Sequence, residues 1–598
     1  MKSIKKISLI ILLMVLTSAA SNAQKEELFF RAAGSPPDPK VQASWNKYYT
    51  NAGIYDLCSK LAKAYPNLVS LESIGKSYQG RDIWLLTISD KKAGNPDKKP
   101  GYWIDGNIHS IELQGTEMAL YTAWYLCEMY NTNTFIKELL AERTFYIAPT
   151  INPDAREYFT SVGVPPRSGL APRDNDRDGL FDEDGFDDLN GDGEISQMRR
   201  KNPEGNYIVD PKDNRRMIRV EPGQKGEYEL LGQEGIDNDG DGLVNEDGPG
   251  GYDGNRDWGF NWEPNYIQSG ADKYPFTFPE NQAVRDFLLK HRNIAGAQSF
   301  HNSGGMILRG PSVQSGYAEA YSRADDAVIE ALGKTGEKIL PGYRLLTVWK
   351  DLYTVYGGEV DWMHGAMGCF VFSNELWTPY LMFYDTTNTD QYEFDRLLLF
   401  EDAFIPWQKI NHPVYGEVEI GGFSKNYGRL HPGFLLESDA HRNAAFCIYN
   451  AYHLPKLEVT KVTVKSLGGG LKEVSATIEN KRMVPTHSAS NLRYKIDPPD
   501  YVYIEGAQSV LAGMIVENED LNICREQKKN PARIEIENIP GYLGGGAQTG
   551  GGGFAGGRSP GAAGNSNIIK VKWIVKGGDR YTVRVESVKG GTASAQSN

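Results

Sequence analysis

Residues 102–130 have the sequence YWIDGNIHSIELQGTEMALYTAWYLCEMY. The apolar run 102–104 is typical of a buried strand, and residues 117–130 carry apolar side chains at the spacing of a helix. His109 and Glu112 lie between the two, three residues apart. A strand, a short polar turn and a helix in this order predict one unit of an α/β sheet.

The same alternation surrounds this stretch and returns after the middle of the chain, up to about residue 453. Between the two parts, residues 157–252 are acidic, polar and glycine-rich. We therefore predict a single α/β domain over residues 24–453, interrupted by a large insertion. The other clear runs upstream are a helix at 55–64 and strands at 82–89 and 143–148.

Short alternating apolar runs follow, and they predict an all-β sandwich of immunoglobulin-like size over residues 454–598. The turn Lys576-Gly577-Gly578-Asp579 between the last two runs predicts a hairpin. Residues 544–564 hold 11 glycines in 21 positions and predict a flexible loop, because glycine loses much backbone entropy on ordering. The strand-like runs are 457–464, 474–479, 533–536, 569–575 and 581–585.

The amino-terminal residues 1–23 have the pattern of a cleavable signal peptide. A basic start precedes the apolar run 9–16, and Ser21-Asn22-Ala23 offers a small-residue cleavage site. We expect a secreted or periplasmic protein; an uncleaved anchor is the alternative. No other stretch approaches about 18 unbroken apolar residues, so we expect no membrane span.

Composition excludes several classes of protein. The chain has 598 residues, 40% of them hydrophobic, which excludes a disordered chain, a collagen and a bare coiled coil. With 77 acidic and 64 basic residues the net charge is −13, so we expect no nucleic-acid partner. The five cysteines are irregularly spaced and lack a CxxC pair, which argues against a cysteine zinc site or a disulfide scaffold.

The pair His109 and Glu112 can offer an imidazole nitrogen and a carboxylate to one ion, because both follow the end of a strand. Together with a distant histidine they would make the His2Glu ligand set of catalytic zinc, with the fourth position left for water. A His-x-x-Glu pattern alone also occurs as an ordinary surface pair. Its weight therefore depends on the motifs that follow it.

Several ordered motifs follow, and in this order the chain resembles the zinc carboxypeptidase (metallocarboxypeptidase) family over residues 40–410. The upstream segments 74–77 and 80–81 also resemble that family's amino-terminal half. The motifs are Asn152-Pro153-Asp154, Asp253-Gly254-Asn255-Arg256, His301 after the apolar run 295–300, Tyr353 ahead of Gly357-Gly358, Asp361-Trp362, and Glu375 within 372–376.

The resemblance implies a mixed-sheet α/β fold and one catalytic zinc ion bound by His109, Glu112 and His301. Glu375 would be the general base, which deprotonates the attacking water and passes the proton to the leaving amine. Asp253 would accept a hydrogen bond from the ring of His109 and fix its tautomer.

The resemblance also implies how a peptide substrate with a free carboxyl terminus is held. Asn255, Arg256 and Tyr353 match the positions that bind the terminal carboxylate, for which a guanidinium fork is well suited. Either Arg199 or Arg200 would stabilise the oxyanion.

Two positions depart from the family pattern. Ile111 stands where digestive members have an arginine, so one contact to the peptide is missing. Val360 matches a position in the specificity pocket, and its apolar side chain argues against a strict preference for basic terminal residues. The large insertion could also reshape the cleft.

The insertion contains a repeated acidic loop. The twelve residues 174–185, DNDRDGLFDEDG, recur as DNDGDGLVNEDG at 237–248 with nine identities, and a looser copy lies at 188–194. Carboxylates at positions 1, 3 and 5 with glycine at 6 are typical of calcium loops, although the usual glutamate at position 12 is absent. The candidate calcium ligands are Asp174, Asp176, Asp178, Asp182, Asp188, Asn190, Asp192, Asp237, Asp239, Asp241 and Asn245.

The sequence therefore predicts a secreted zinc metallocarboxypeptidase with structural calcium. Two alternatives stay open. One is an amidase or endopeptidase with the same zinc site, acting on cell-wall or other peptides. The other is a non-catalytic, calcium-dependent surface-binding protein. The oligomeric state has no signature in the sequence.

Overall fold

The computed structural model describes residues 32–161, 163, 169–314, 321–543 and 567–597. The predicted signal peptide lies outside these residues, and so does the predicted glycine-rich loop. No helix within the described ranges is long and apolar enough to cross a membrane. All five cysteines are unpaired.

Strands and helices are interspersed along the described chain up to Tyr452. The strands are β1 (Val69–Lys76), β2 (Asp82–Ile88), β3 (Gly101–Gly106), β4 (Thr144–Ala148), β5 (Gln197–Lys201), β6 (Tyr207–Asp210), β7 (Asp213–Arg219), β8 (Tyr228–Gln233), β9 (Ile294–Asn302), β10 (Met306–Arg309), β11 (Arg344–Thr347), β12 (Phe370–Leu376), β13 (Phe404–His412) and β14 (Gly416–Phe423). The helices are α1 (Asn51–Ala64), α2 (Gln114–Met129), α3 (Thr134–Glu142), α4 (Pro153–Ser161), α5 (Pro279–Lys290), α6 (Arg323–Ile339), α7 (Glu359–Gly365), α8 (Tyr380–Phe383), α9 (Gln391–Phe394) and α10 (Gly433–Tyr452).

A mixed sheet of eight strands forms the centre, in the order β1-β2-β4-β3-β9-β12-β10-β11. Its middle strands β4, β3, β9 and β12 run parallel to one another. At one edge β1 pairs antiparallel with β2 and β2 with β4; at the other, β10 pairs antiparallel with β12 and parallel with β11. Strands β3 and β9 are buried along their whole length, as expected for strands covered on both faces. The predicted mixed-sheet α/β fold is confirmed.

Apolar cores lie on both faces of this sheet. The larger core packs α1, α2, α6 and α10 against one face, and the smaller one packs α5 and α7 against the other around Trp103, Trp258 and Trp362. Because parallel strands end at a common edge, the loops after β3, β9 and β12 meet there.

A close approach of two glycines fixes the loop after β3. A Cβ atom on Gly106 would lie 2.6 Å from the carbonyl carbon of Gly115, and one on Gly115 would lie 2.9 Å from Cβ of Phe300. Since no real Cβ tolerates such contacts, glycine at these positions lets the start of α2 lie directly on β3 and β9. The loop that carries His109 and Glu112 is therefore held at the edge of the sheet.

The acidic insertion is not a plain loop, because it contributes strands to a second sheet. Strands β5, β6, β7 and β8 join β13 and β14 in a six-stranded sheet of order β13-β14-β5-β8-β6-β7. The repeated acidic loops precede β5 and follow β8. Their partners β13 and β14 lie far downstream in the sequence, beyond β12 of the central sheet, which is why the sequence pattern of the insertion alone did not indicate this second sheet.

The carboxyl-terminal region is a β-sandwich, as predicted. Its two antiparallel sheets have the orders β15-β16-β21-β18-β19 and β20-β17-β22-β23, and both contribute to one apolar core around Trp573 and Tyr581. The elements are β15 (Leu457–Gly468), β16 (Leu471–Asn480), α11 (Ala489–Tyr494), β17 (Asp500–Glu505), β18 (Ser509–Asn518), β19 (Ile523–Glu526), β20 (Arg533–Ile536), β21 (Ile568–Lys576), β22 (Thr582–Ser587) and β23 (Gly591–Gln596).

The prediction of a hairpin at 576–579 is wrong. Strands β21 and β22 belong to different sheets, so the Gly577-Gly578 turn crosses from one layer of the sandwich to the other. Both glycines have positive φ (69° and 92°), and Tyr581 donates a hydrogen bond to the carbonyl of each at 2.8 Å. The glycines were a correct sign of a turn, but the strand pairing is decided by long-range packing.

Candidate active site

Three buried side chains converge at the carboxyl edge of the central sheet. His109 and Glu112 lie in the turn between β3 and α2, and His301 is the penultimate residue of β9. Nδ1 of His109 lies 2.9 Å from Oε2 of Glu112 and 3.2 Å from Nδ1 of His301, which itself lies 3.0 Å from the same Oε2. All three residues are at most 3% exposed.

This cluster fits a zinc ion by its donor chemistry. Two imidazole nitrogens and one carboxylate oxygen, one from each residue, lie within 4.8 Å of one another, and they form the His2Glu ligand set of catalytic zinc. Oε1 of Glu112 is buried without a hydrogen-bond partner. A buried carboxylate oxygen in this state indicates that a cation belongs in the cluster.

The electrostatics of the cluster favour positive charge. Burial lowers the pKa of His109, but the charges of Glu112 and Asp253 outweigh it and raise this pKa to about 9. Burial raises the pKa of Glu112, but the two histidines outweigh it and hold this pKa well below its usual range. A dication would take the place of the proton on the imidazole.

Asp253 contacts the ring nitrogen of His109 that does not face the other two ligands. Its Oδ1 lies 3.0 Å from Nε2 of His109 and accepts a hydrogen bond from the backbone N–H of Asn255 at 2.8 Å. This leaves Nδ1 of the same ring directed at Glu112 and His301. The resemblance to the family had assigned this ring to Asp253.

A cavity beside the three ligands brings together the residues predicted to bind substrate. His109, His301, Asn255, Arg256 and Tyr353 all line it. Arg256 is 8% exposed, and its Nε is buried without a hydrogen-bond partner. Tyr353 is 49% exposed at the rim. The cavity therefore has an unsatisfied guanidinium donor inside and a phenol at its entrance.

Glu375 lines the same cavity from the neighbouring strand. It lies on β12, directly opposite His301 in the parallel pairing of β12 with β9. This register places the carboxylate next to the metal-ligand cluster and on the side of the cavity. A proton acceptor at that position can reach a water molecule held near the ligands.

The structure does not place Arg199 or Arg200 at this site, contrary to the prediction. Both lie on β5 in the outer six-stranded sheet, and neither lines the cavity. Nε of Arg199 donates to Glu419 at 2.7 Å, and the guanidinium stacks on Trp407. Arg200 pairs with Glu229. The pairing of β5 with β14 and β8 sets these contacts and directs both cations to carboxylates of the outer sheet.

The two acidic repeats pack against each other in a reciprocal arrangement. Asp247 accepts hydrogen bonds from Asn175 and from the backbone of Asp182, while Asp184 accepts the equivalent bonds from Asn238 and Asn245. Asp184 and Asp247 also form a β-bridge. The repeats are thus one paired unit.

Most predicted calcium ligands cluster in this unit or beside it. Asp176 groups with Asp174 and Asp247, with Asp178 and Glu183, and with Asp241 and Glu246. Asp188 and Asp192 group with Glu234.

The other predicted ligands make hydrogen bonds outside these clusters. Asp182 accepts from Arg173 N and Gly250 N, and the side chain of Asn245 donates to Gln233 O. The remaining predicted ligands make local contacts: Asp237 accepts from Gly240 N and Gly242 N, Asp239 from Asp241 N, and Asn190 donates to Asp192.

Sequence reasoning missed several acidic residues. Glu183, Glu246 and Glu234 complete the clusters of the insertion, and the first two appear at position 10 of both repeats, where their recurrence was a usable signal. Glu359 was also missed. It is buried and lines the cavity next to Val360.

Fold and site together define an α/β metalloprotein with the ligand set of a catalytic zinc. The profile described as "Zinc carboxypeptidase" matches residues 54–392, more than half of the chain. The chain therefore belongs to the zinc carboxypeptidase family. Residues 456–598 match a second profile, "Domain of unknown function (DUF8731)".

Individual relatives match over short stretches. A zinc carboxypeptidase of Saccharothrix mutabilis subsp. capreolus is 41% identical over 99 residues, which are 17% of this chain and 23% of that protein. The carboxypeptidase N catalytic chain of Rattus norvegicus is 32% identical over 139 residues, 23% of this chain and 30% of that one. The chain thus spans less than a third of the length of either relative.

Solved structures show a more distant likeness. The crystal structure of thrombin activatable fibrinolysis inhibitor has a TM-score of 0.40 and 18% identity, covering 70% of this chain and 80% of that one. Carboxypeptidase A from Helicoverpa armigera has a TM-score of 0.39 and 17% identity, with 70% and 77% covered.

Proposed function

We propose that this protein is a secreted, zinc-dependent metallocarboxypeptidase that hydrolyses the carboxyl-terminal peptide bond of peptides or proteins. The observation that carries the proposal is the shared cavity. It brings His109 and His301 of the metal-ligand cluster, Arg256 with its partnerless Nε, and Glu375 around one small space.

Each residue of the cavity has a separate role in this reaction. Arg256 and Asn255 bind the terminal carboxylate of the substrate, which places the last peptide bond beside the metal ligands. Zinc, when bound, lowers the pKa of water and polarises the scissile carbonyl. Glu375 accepts a proton from the attacking water and delivers it to the leaving amine. Asp253 keeps His109 in the tautomer that leaves Nδ1 free to bind metal.

Matched peptides with free and amidated carboxyl ends test this assignment. We expect the free peptide to lose its last residue, and amidation to lower kcat/KM by at least about 100-fold, because Nε of Arg256 then has no carboxylate to which it can donate. Products are identified by mass spectrometry with and without a zinc chelator. Equal cleavage of both peptides would favour the amidase or endopeptidase alternative, and no chelator-sensitive cleavage of any peptide would favour the surface-binding alternative.

Secretion rests on the pattern of residues 1–23 alone. Sequencing the amino terminus of the protein from the producing cell, after separating membranes and soluble fractions, tests it. A mature chain that begins near residue 24 in the soluble fraction supports cleavage, whereas an intact start in the membrane fraction supports the anchor.

We also propose that the paired acidic loops bind calcium. All four carboxylate oxygens of Glu183 and Glu246 are shielded from solvent and lack hydrogen-bond partners. Burial and the nearby Asp184 carboxylate raise the pKa of Glu246 to about 7. Clustered carboxylates in this state repel one another, and a hard cation would remove that repulsion.

Calcium bound there would also support the zinc site. The paired acidic loops contact the chain segment before Asp253. Asp182 accepts a hydrogen bond from Gly250 N at 2.9 Å, and Arg173 donates one to Gly251 O at 2.8 Å. Asp253, two residues further on, holds His109. Ordering of the acidic loops would therefore restrain the metal ligand His109 through the short backbone segment that ends at Asp253.

Removing calcium while keeping zinc bound is expected to destabilise the protein and to reduce activity. Calcium at 100 times its Kd would contribute about 2.7 kcal/mol to the free energy of unfolding, so the melting temperature should fall by several degrees without it. We expect kcat/KM to fall up to about tenfold, as when a residue supporting a metal ligand is disturbed. The comparison uses metal-free protein reconstituted with zinc alone or with zinc and calcium.

A double variant Asp176→Asn, Asp239→Asn should no longer respond to calcium. The control is Asp520→Asn, which changes an exposed aspartate of the β-sandwich. If calcium shifts neither melting temperature nor activity of the unmodified protein, the calcium proposal is wrong.

A further inference from the structure

Gln114 connects the two chain segments that carry the metal ligands. It is the first residue of α2, lies two positions after Glu112 and is fully buried. Its Oε1 accepts a hydrogen bond from Nδ2 of Asn302 at 3.3 Å, and Asn302 directly follows His301 on β9. One side-chain hydrogen bond therefore joins the turn that holds Glu112 to the end of the strand that holds His301.

The backbone ladder between β3 and β9 stops short of the ligands. Its last paired residues are Gly106 and Phe300, so both His109 and His301 lie beyond it. The spacing between the turn after β3 and the end of β9 therefore depends on packing and on side-chain contacts past the ladder. The bond between Gln114 and Asn302 is such a contact.

The orientation of the Gln114 amide follows from its neighbours. Besides Asn302, the backbone N–H of His431 donates to Oε1 at 3.2 Å, so the amide oxygen faces two donors. Nε2 faces two acceptors, Oδ2 of Asp439 at 3.0 Å and Nδ1 of His431. Because burial lowers the pKa of His431 to about 3, its ring is neutral and Nδ1 can accept. In the reverse orientation the amide would oppose donors to donors and acceptors to acceptors.

The start of α10 completes the hydrogen-bond network. Nδ2 of Asn302 also donates to the carbonyl of Arg429 at 3.0 Å, and His431, two residues further on, donates its N–H to Gln114. Asp439 lies within α10, a helix of 20 residues that packs in the larger core. The network thus ties both ligand-bearing segments to one well-packed helix.

We propose that Gln114 is a positioning residue of the metal site, whose amide determines the spacing between Glu112 and His301. This inference rests on the zinc-ligand assignment within the proposed function. A zinc ion needs its ligands at nearly fixed distances from one centre. Residues that hold ligands in place typically contribute about 10- to 100-fold to metal affinity. An amide suits this position because it accepts from Asn302 and donates to Asp439 at the same time.

The competing explanation is that Gln114 only stabilises the packing of α2 against α10. In that case its removal would lower the melting temperature of the metal-free and the zinc-loaded protein equally, and zinc affinity would not change. A positioning role changes the affinity of the folded protein itself, because the ligands are then no longer held at the spacing that zinc requires.

Zinc affinity of full-length variants separates these explanations. It is measured below the melting temperature by competition with a chromogenic chelator. Gln114→Met keeps the length of the side chain but removes the amide, and we expect it to weaken zinc binding about 10- to 100-fold. Asn302→Ala removes the other partner and should have a similar effect. Because both changes break the same hydrogen bond, the double variant should bind zinc within about threefold of the weaker single variant.

An exchange of two side chains provides a rescue. Gln114→Glu keeps the acceptor for Asn302 but places a carboxylate against Asp439, so zinc affinity should fall. Adding Asp439→Asn supplies a donor opposite the new carboxylate, while His431 can move its proton to Nδ1. We expect the combined variant to bind zinc within about threefold of the unmodified protein. If Gln114→Met does not fold, Asn302→Ala and this exchange decide the matter.

Asn480→Ala is the matched control. Asn480 is a buried amide of the sandwich that donates to Val484 O at 2.9 Å and accepts from the backbone N–H groups of Lys456 and Arg482. This variant should lower the melting temperature without changing zinc affinity.

Unchanged zinc affinity in Gln114→Met and Asn302→Ala, or no rescue of Gln114→Glu by Asp439→Asn, would overturn the inference. The proposed function would still stand if the unmodified protein removes terminal residues from free peptides. Conversely, weaker zinc binding in these variants supports the inference even if the unmodified protein cleaves no peptide, and then only the proposed function fails.

Discussion

Replacing Glu375 by glutamine is expected to lower kcat by about 10²- to 10⁴-fold, the usual contribution of a positioned general base. Glutamine has nearly the same shape and can still donate and accept hydrogen bonds, but it cannot take a proton from water. Because Glu375 is not among the residues assigned to hold the terminal carboxylate, KM should change little.

Zinc content and melting temperature make this result interpretable. Glu375→Gln should bind one zinc ion per chain, since its side chain is not part of the ligand cluster. Glu473→Gln is the matched control, because Glu473 lies on β16 of the sandwich and contacts Lys572. If Glu375→Gln keeps its zinc and also keeps its activity, Glu375 is not the general base.

The sequence predicted the elements of the site because its signals are local. The apolar run before His109 and the helical spacing after Glu112 specify a strand and a helix within the single stretch 102–130. The strand before His301 and the one that contains Glu375 are equally clear. Parallel strands that end at one edge then bring the three segments together, as the family pattern implied.

The parts that could not be predicted depend on contacts between distant segments. The direction of Arg199 is set by β14, which pairs with β5 although the two strands are far apart in the sequence, and which supplies Glu419. Glu359 stands at the start of a helix, where an acidic residue is usually favoured and exposed. Its burial follows only once β3 and β9 bring Asp105 and Ser299 beneath it.

The same reasoning applies to the turn at Gly577-Gly578. Glycines with positive φ are a local requirement and were visible in the sequence. The sheet that the next strand joins depends on which face buries Tyr581 and Val583, and both lie in the core shared by the two sheets. A turn signal therefore does not specify a hairpin without knowledge of the opposite layer.

Replacing His301 by alanine is expected to have an effect as large as that of Glu375→Gln, but through loss of the metal. Disturbing a residue that merely supports a zinc ligand costs about 10- to 100-fold in affinity, so removing a ligand should weaken zinc binding by at least about 100-fold. Competition with a chromogenic chelator measures this change. His441→Ala is the control, since that histidine lies on α10 and contacts Tyr121.

The effect of zinc on the melting temperature of the metal-free protein provides a second test of this prediction. In the unmodified protein, zinc binds the folded chain and should raise the melting temperature. In His301→Ala only His109 and Glu112 of the three ligands remain, so zinc should raise it little and activity should return only at high zinc concentration. If His301→Ala loses activity but still binds stoichiometric zinc tightly, the ligand assignment is contradicted. The defect would then lie in the alignment of β9 with Glu375 rather than in the metal site.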